Sequence, residues 1–338
     1  MSSRALFWVH DADAPSFRHR LAAHIPALER EGIACAVERF PRRRYGLRVL
    51  ERIRRLREFD LLVIAKFKLE TGERLAVRRA SRRIVYDFDD AIYFAKPDRA
   101  GQEPDRSPRR VRKFRATCAM ADLVTAGNAT LADAARPAAR RVEIVPTGIE
   151  LGPYASLPAS RGDGGLRVVW IGLPGNLPYL DLVAAPFARV AARRPGLRLT
   201  VVSERPPARF PAPIEFVRWA ADTEAAALAA CDVGIMPLED DDWTRGKGGF
   251  KLLQYMAARL PTIASPVGVN REITRPGETG LLASSPDEWE TSLDRLLSDA
   301  DLRRRMGAAG RRRVEERYAM PIVGARLVEL YRGLLEPT

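Results

Sequence analysis

The densest grouping of residues able to do chemistry is 243–256, WTRGKGGFKLLQYM. Gly246, Gly248 and Gly249 let a ligand approach main-chain N–H groups where a helix begins. Lys247 and Lys251 are four apart, which predicts both ammonium groups on one helical face, with Gln254 a turn further along. Arg245 adds a guanidinium just before the helix. A helix dipole, N–H groups and three cations together describe a pyrophosphate site, although the G-x-x-x-x-G-K-[ST] spacing of a Walker A loop is missing. A glycine-rich helix cap with solvated cations uses the same residues, and the pattern leaves both readings open. A second turn, 172–179 (GLPGNLPY), offers Gly172, Gly175 and Asn176 where a strand hands over to a helix. The first such turn of a doubly wound domain faces its ligand cleft, though a plain connection is the alternative. It lacks the G-x-G-x-x-G fingerprint, which argues against a dinucleotide oxidoreductase.

A different chemistry is offered by YDFDDAIY, residues 86–93. Asp87, Asp89 and Asp90 follow an apolar strand, and carboxylates at such an edge face a cleft or must be paired. They can hydrogen-bond sugar hydroxyls or act as a base, with Asp90 the first candidate and Asp89 the second. They can equally cap a helix or pair with arginines. Ser16, Arg18 and Arg20 open the first helix, and the two arginines are placed either to hold an anion or to be solvated. His10, His19 and His24 are the only histidines and none forms an H-x-x-x-H pair. Cys35, Cys118 and Cys231 are far apart, so neither a zinc site nor a disulfide framework is expected.

The elements that must position these residues alternate along the chain. Apolar runs at 4–10, 33–40, 60–65, 83–89, 122–127 and 142–146 read as strands, with helical stretches between them. Ser16 is the expected N-cap of a helix carrying Leu21, Ile25 and Leu28, and Gly32 closes it. Residues 151–165, LGPYASLPASRGDGG, break the pattern and read as a linker. Strands then restart at 166–172, 197–203, 214–219 and 232–238, with helices near 178–193, 222–230, 248–259 and 286–298. Repeated strand–helix–strand units predict two doubly wound α/β domains, 1–150 and 166–318, with a cleft between their carboxyl edges. The last segment, 319–338, carries Ile322, Val323, Leu327, Leu330, Tyr331 and Leu334 at helical spacing.

Composition bounds the rest. The 338 residues are 46% hydrophobic and 29% charged, which excludes disordered and membrane-bundle classes. The formal net charge of +13 comes from 50 Arg and six Lys against 43 Asp and Glu. Such a surface suits an anionic membrane leaflet, nucleic acid or anionic small molecules, or is simply solvated. RNA-module signatures are not apparent, so no nucleic-acid partner is expected. The N-terminus turns acidic after four apolar residues and no run approaches a membrane span, which predicts a cytoplasmic protein, peripheral at most.

Residues 250–320 are similar to the C-terminal region of GT-B glycosyltransferases of family 4. There a Y-M-A-x-x-x-P-x-(I/V)-(A/V)-S segment, an E-I, a G-x-x-G-L-L turn and a G-R-x-x-V-x-x-x-Y helix recur in order, matched here by YMAARLPTIAS, REI, GETGLL and GRRRVEERY. YDFDDAIY, AGNATLAD around Asn128, and VEIVPTGIE resemble that family's first domain. The resemblance implies a GT-B fold and metal-independent hexosyl transfer with retention. It implies a nucleotide-diphosphate sugar as donor substrate, no cofactor, and a glycan, lipid-linked or small-molecule acceptor. Cell-envelope polysaccharide synthesis is the implied setting; the first domain would be the acceptor side, with Ser16, Arg18 and Arg20 there, and residues 319–338 would cross back onto it. Two departures stand out. The family's E-x(7)-E pair falls on Gly246 and Gln254, and the Arg and Lys that follow the first strand of its second domain are absent from GLPGNLPYLDL. The resemblance then assigns the diphosphate to Arg245, Lys247 and Lys251, the ribose to Gln254, and the donor's surroundings to Glu272 and Trp219, the latter equally a structural tryptophan. The alternative is a non-catalytic nucleotide- or polyanion-binding protein whose affinity falls steeply with salt.

Overall fold

The computed structural model describes residues 3–40, 47–95, 106–155 and 165–336, without the side chains of 47–50. Most of the expected linker, 156–164, lies outside the described residues. Two six-stranded parallel sheets form the framework. The first holds β1 (Ser3–Val9), β2 (Ile33–Arg39), β3 (Leu61–Ala65), β4 (Arg83–Phe88), β5 (Leu123–Ala126) and β6 (Val142–Ile144), in the order β2-β1-β3-β4-β5-β6. The second holds β7 (Arg167–Ile171), β8 (Arg198–Ser203), β9 (Ile214–Arg218), β10 (Val233–Met236), β11 (Thr262–Ala264) and β12 (Gly280–Leu282), in the order β12-β11-β10-β7-β8-β9. The central strands are continuous apolar runs because helices cover both faces: β3 is buried at all five positions.

Strand order fixes where ligands can enter. The direction of winding reverses between β1 and β3 in the first sheet and between β7 and β10 in the second. Loops diverge at such switch points and leave a crevice outside the carboxyl ends. β11 and β12 are not visible in the sequence pattern, because three residues are too few to show a period of two.

The helix Met320–Leu335 leaves the second domain and packs on the first. Val323, Leu327, Leu330 and Tyr331 are buried in one cluster with Phe7, Val63 and Val85 of the first sheet. Main-chain bonds from Ile149 N to Tyr318 O and from Met320 N to Ile149 O tie the crossing point. Arg83 donates to the Leu334 carbonyl, and Arg326 and Arg332 pair with Glu143 and Glu31. Among the described residues, no helix is long and apolar enough to cross a membrane.

Several local expectations need correction. The first helix, Pro15–Arg20, has Ala14 at its N-cap, with proline opening it; Ser16 therefore lies inside the first turn and caps nothing. The helix expected from 248 begins at Phe250, since Gly249 takes φ +68° as its N-cap. Lys247 thus precedes the helix, and the shared helical face argued from its spacing to Lys251 does not exist.

Candidate active site

The second sheet's switch point gathers the phosphate candidates. Gly172 follows β7, and a Cβ there would lie 2.8 Å from Lys251 Cε and 2.9 Å from its Nζ. Glycine is what lets the lysine lie against this turn. Lys251 Nζ sits 5.4 Å from the Trp170 ring centroid. It makes no hydrogen bond or ion pair among the described residues. Burial, then the neighbouring Lys247 charge, push its pKa down to about 7. Lys247 Nζ lies 3.3 Å from Asn176 Oδ1 and 5.5 Å from the Tyr179 ring centroid. Two ammonium groups from the loop and helix after β10 therefore converge on the turn after β7. Like charges so placed favour an anion between them. Gly175 is exposed in the short 3-10 turn Pro174–Leu180, on the rim of this site.

The loop carrying these cations abuts the first domain. A Cβ on Gly246 would come within 2.7 Å of Ala91 Cβ, and one on Gly248 within 3.9 Å of Thr147 Oγ1. Asn128 caps the helix Ala129–Ala135 through Oδ1, while its Nδ2 donates across the gap to the carbonyls of Gly246 and Lys247. The His19 ring lies tilted at 5.0 Å from that of Phe250, and burial with the Arg18 charge lowers its pKa.

The four other assigned residues are engaged or exposed as follows. Arg245 turns back onto its own loop, pairing with Asp240 at 2.7 Å and Asp242 at 3.2 Å, so its charge is already matched. Gln254 is buried and its amide donates to Glu224 Oε1 at 2.6 Å. Trp219 Nε1 donates to Glu224 Oε2 at 2.7 Å, and Tyr154 Oη to Oε1 at 3.2 Å. Glu272, in the short helix Asn270–Ile273, has an exposed side chain, and its carbonyl accepts from Arg313. Glu224 was not singled out from sequence, because a lone glutamate opening a short helix looks like an ordinary first-turn acid.

At the carboxyl edge of the first sheet the geometry overturns the simplest reading of the arginines. Arg20 is 2% exposed, and Nε and Nη2 hold Asp87 at 2.7 and 2.9 Å. Its Nη1 donates to the Val145 carbonyl, and Thr125 Oγ1 donates to Asp87 at 2.6 Å. Burial raises the Asp87 pKa against the opposing pull of Arg20. Arg20 is therefore a buried structural partner and does not offer a free charge to an acceptor. Arg18 is exposed beside His19.

Asp89 and Asp90 are bridged by Lys66, whose Nζ lies 2.7 and 2.5 Å from their carboxylates. Burial opposes the Lys66 charge, but the two aspartates outweigh it and raise the pKa. Burial likewise works against the Asp89 charge, yet Lys66 and Arg20 hold that carboxyl below its usual value. Asp90 is the more exposed of the two, at 36%. Lys66 adopts φ +62°, uncommon for a side-chain-bearing residue, with its N–H held by the Asp87 carbonyl. Sequence reasoning missed it; the only signal was a lysine directly after an apolar strand. Among the described residues, no group of three His, Cys, Asp or Glu is placed to hold a metal.

The chain superposes on Anabaena HepE in complex with UDP-glucose, with a TM-score of 0.73 at 15% identity, covering 98% of this chain and 99% of that one. The fold is GT-B. Residues 166–299 match the family model for Glycosyl transferases group 1, so the sequence signal is concentrated in the domain that holds Lys247 and Lys251. A D-inositol 3-phosphate glycosyltransferase of Segniliparus rotundus is 27% identical over 211 residues, 55% of this chain and 45% of the relative. A GDP-mannose-dependent monoacylated alpha-(1-6)-phosphatidylinositol monomannoside mannosyltransferase of Corynebacterium glutamicum is 37% identical over 114 residues, 31% of this chain and 29% of the relative. Each alignment thus spans less than half of the curated relative.

Proposed function

We propose that this GT-B protein is a glycosyltransferase that moves a sugar from a nucleoside-diphosphate donor onto an acceptor hydroxyl, with retention and without a metal. The observation that carries this is the convergence of Lys247 and Lys251 on the Gly172–Asn176 turn, with Lys251 unmatched by any carboxylate among the described residues. Breaking a glycosyl–phosphate bond leaves a diphosphate, and preorganised cations and N–H groups lower the energy of that developing charge. The two lysines replace the Arg and Lys that the resemblance places after β7: the charge reaches the same turn from the other strand's loop. The Glu224–Gln254–Trp219 cluster sits one helical turn beyond Lys251 and supplies acceptors and donors for the nucleoside. The first domain, carrying Asp89 and Asp90, takes the acceptor. The name of the Corynebacterium relative, a phosphatidylinositol monomannoside mannosyltransferase, supports a lipid-linked glycoside as acceptor.

Titration of the full chain with UDP, GDP and ADP tests the donor side. One of them should bind and raise the melting temperature, as any ligand of the folded state alone must. Lys251→Ala and Lys247→Ala should each weaken that binding by about 1.5–3 kcal/mol, the value of a charge-assisted hydrogen bond. Unchanged affinity in both variants would remove the phosphate assignment. Transfer should persist in EDTA; loss of activity that Mg²⁺ or Mn²⁺ restores would overturn the metal-free mechanism.

A further inference from the structure

A cavity of about 280 Å³ opens at the switch point of the first sheet, where β1 ends at Val9 and β3 at Ala65. Its size is at the lower end of small-molecule sites. Two cations, Arg20 and Lys66, line it, and a count of cations alone would suggest a site for phosphate or carboxylate. So would the surrounding surface: residues 1–150 carry 31 Lys and Arg against 20 Asp and Glu, whereas residues 151–338 carry 25 against 23.

The hydrogen bonds give the opposite answer. Arg20 spends Nε and Nη2 on Asp87 and Nη1 on the Val145 carbonyl. Lys66 is held between two carboxylates, Asp89 and Asp90, leaving one N–H and an excess of one negative charge. Asp11, on the cavity wall, is exposed and accepts from the main-chain N–H of Asp13. The charges around the cavity therefore sum to negative, with both lining cations already matched. An incoming phosphate would meet Asp11 and Asp87 on the wall and a Lys66 ammonium already paired with Asp89 and Asp90, and like charges in such juxtaposition are strongly unfavourable.

What the cavity offers is of mixed character. Phe17, Ala14 and Val9 give apolar surface, while the Ser16 hydroxyl, the Asp11 carboxylate and the remaining Lys66 N–H give polar groups. Apolar walls with a few placed polar groups are what a small neutral ligand needs for orientation. A polyol ring matches them, since it presents C–H groups on its faces and hydroxyls on its rim. The left-handed backbone at Lys66 adds to the case, because sparsely populated conformations persist where the surroundings over-determine them, commonly at ligand sites.

We propose that this cavity takes the reacting end of the acceptor as a neutral polyol, a sugar or cyclitol ring bearing no phosphate or carboxylate, and rejects anionic rings. The proposal rests on the glycosyltransferase reading and sharpens it. It sets this chain apart from a relative named for a phosphorylated inositol. The roles follow: on the cavity wall Asp11 and Ser16 hold ring hydroxyls, and Lys66 is a positioning residue that aligns Asp89 and Asp90, its partners beside the cavity.

The test uses the full chain saturated with whichever of UDP, GDP or ADP binds, and reads probe binding by saturation-transfer NMR. The probes are mannose, glucose and myo-inositol, each beside its monophosphate. At least one neutral probe should bind, at least tenfold tighter than its phosphate. Asp11→Asn and Ser16→Ala should weaken that neutral probe threefold or more. Asp90→Asn, at a partly exposed position, should narrow the neutral-to-phosphate ratio at least threefold, because it releases part of the Lys66 charge. A phosphate bound as tightly as its neutral partner, no neutral probe bound, or a ratio unmoved in Asp90→Asn each overturns the proposal. Absence of any nucleotide binding in the first step, by contrast, overturns the glycosyltransferase reading itself.

Discussion

β1 and β3 end beside Arg20 and Lys66, and aspartates match both cations. β7 and the loop after β10 end beside Lys247 and Lys251, and among the described residues Lys251 meets an aromatic ring, a glycine turn and another lysine but no carboxylate. The two regions are equivalent by topology, since each is the switch point of a parallel sheet. Their electrostatics are opposite. A site that must accept charge in the transition state keeps an unmatched cation, whereas a site that only holds a hydroxyl can have its cations matched in advance. Cations near a cleft are thus informative only once their partners are known.

Deleting residues after Tyr318 would break the comparison most severely, because it strips only the first region. Val323, Leu327, Leu330 and Tyr331 are buried against the first sheet, at about 1.5–3 kcal/mol each. Their sum rivals the whole stability of a domain. Loss of the first domain's cooperative unfolding transition, together with loss of transfer, is the expected result. A truncated protein that stays folded and active but no longer sediments with anionic vesicles would show the helix to be a membrane anchor.

The buried pair comes next in size. Arg20→Met or Asp87→Asn leaves an unmatched buried charge and should cost about 3–5 kcal/mol in denaturant unfolding. Lys251→Met should cost nothing in stability, because it removes an unmatched amine from a poorly solvated place, yet it should lose nucleotide affinity. A stability loss in Lys251→Met equal to that in Arg20→Met or Asp87→Asn would erase the distinction between the regions.

Acidity sharpens the same contrast. The Lys251 pKa falls from 10.5 in an exposed chain to about 7 in the folded protein, so the unfolded state binds the extra proton between those values. Stability of the nucleotide-free protein should therefore rise with pH from about 7 toward 10.5, the Lys251 contribution being most unfavourable below 7. A bound diphosphate favours the ammonium form, so binding at pH 8 should take up a proton. Calorimetry in buffers of different ionisation enthalpy would measure that uptake. Lys251→Arg should abolish it while retaining most of the affinity, and persistent uptake in that variant would place the titrating group elsewhere.

The smallest effect is expected at Arg245. Its guanidinium is exposed and held by Asp240 and Asp242, so Arg245→Ala should change nucleotide affinity by no more than about twofold. A loss comparable with Lys251→Ala would show that the acidic loop releases Arg245 when donor binds.

Much of this protein was legible in its residues. Continuous apolar runs such as LLVIA and RVVWI predict strands buried on both faces, and helical spacing predicts the last helix, because both follow from local periodicity. The Gly-Lys-rich loop was legible because glycine and cation placement is written along the chain. Partner choice was not. Arg20 and Asp87 lie 67 positions apart, Lys66 and Asp90 lie 24 apart, and Gln254 and Glu224 lie 30 apart. Local pattern left Arg20 to an anion or to solvent and gave Arg245 to the phosphates, and the resemblance gave Gln254 to the ribose; only the folded chain shows which carboxylate each one meets. Composition and periodicity determined two wound sheets and a supply of cations, since burial and helix geometry act over a few residues. Tertiary structure alone decided which cation stays unmatched, since Coulomb energy and desolvation depend on distances in space that residue order does not record.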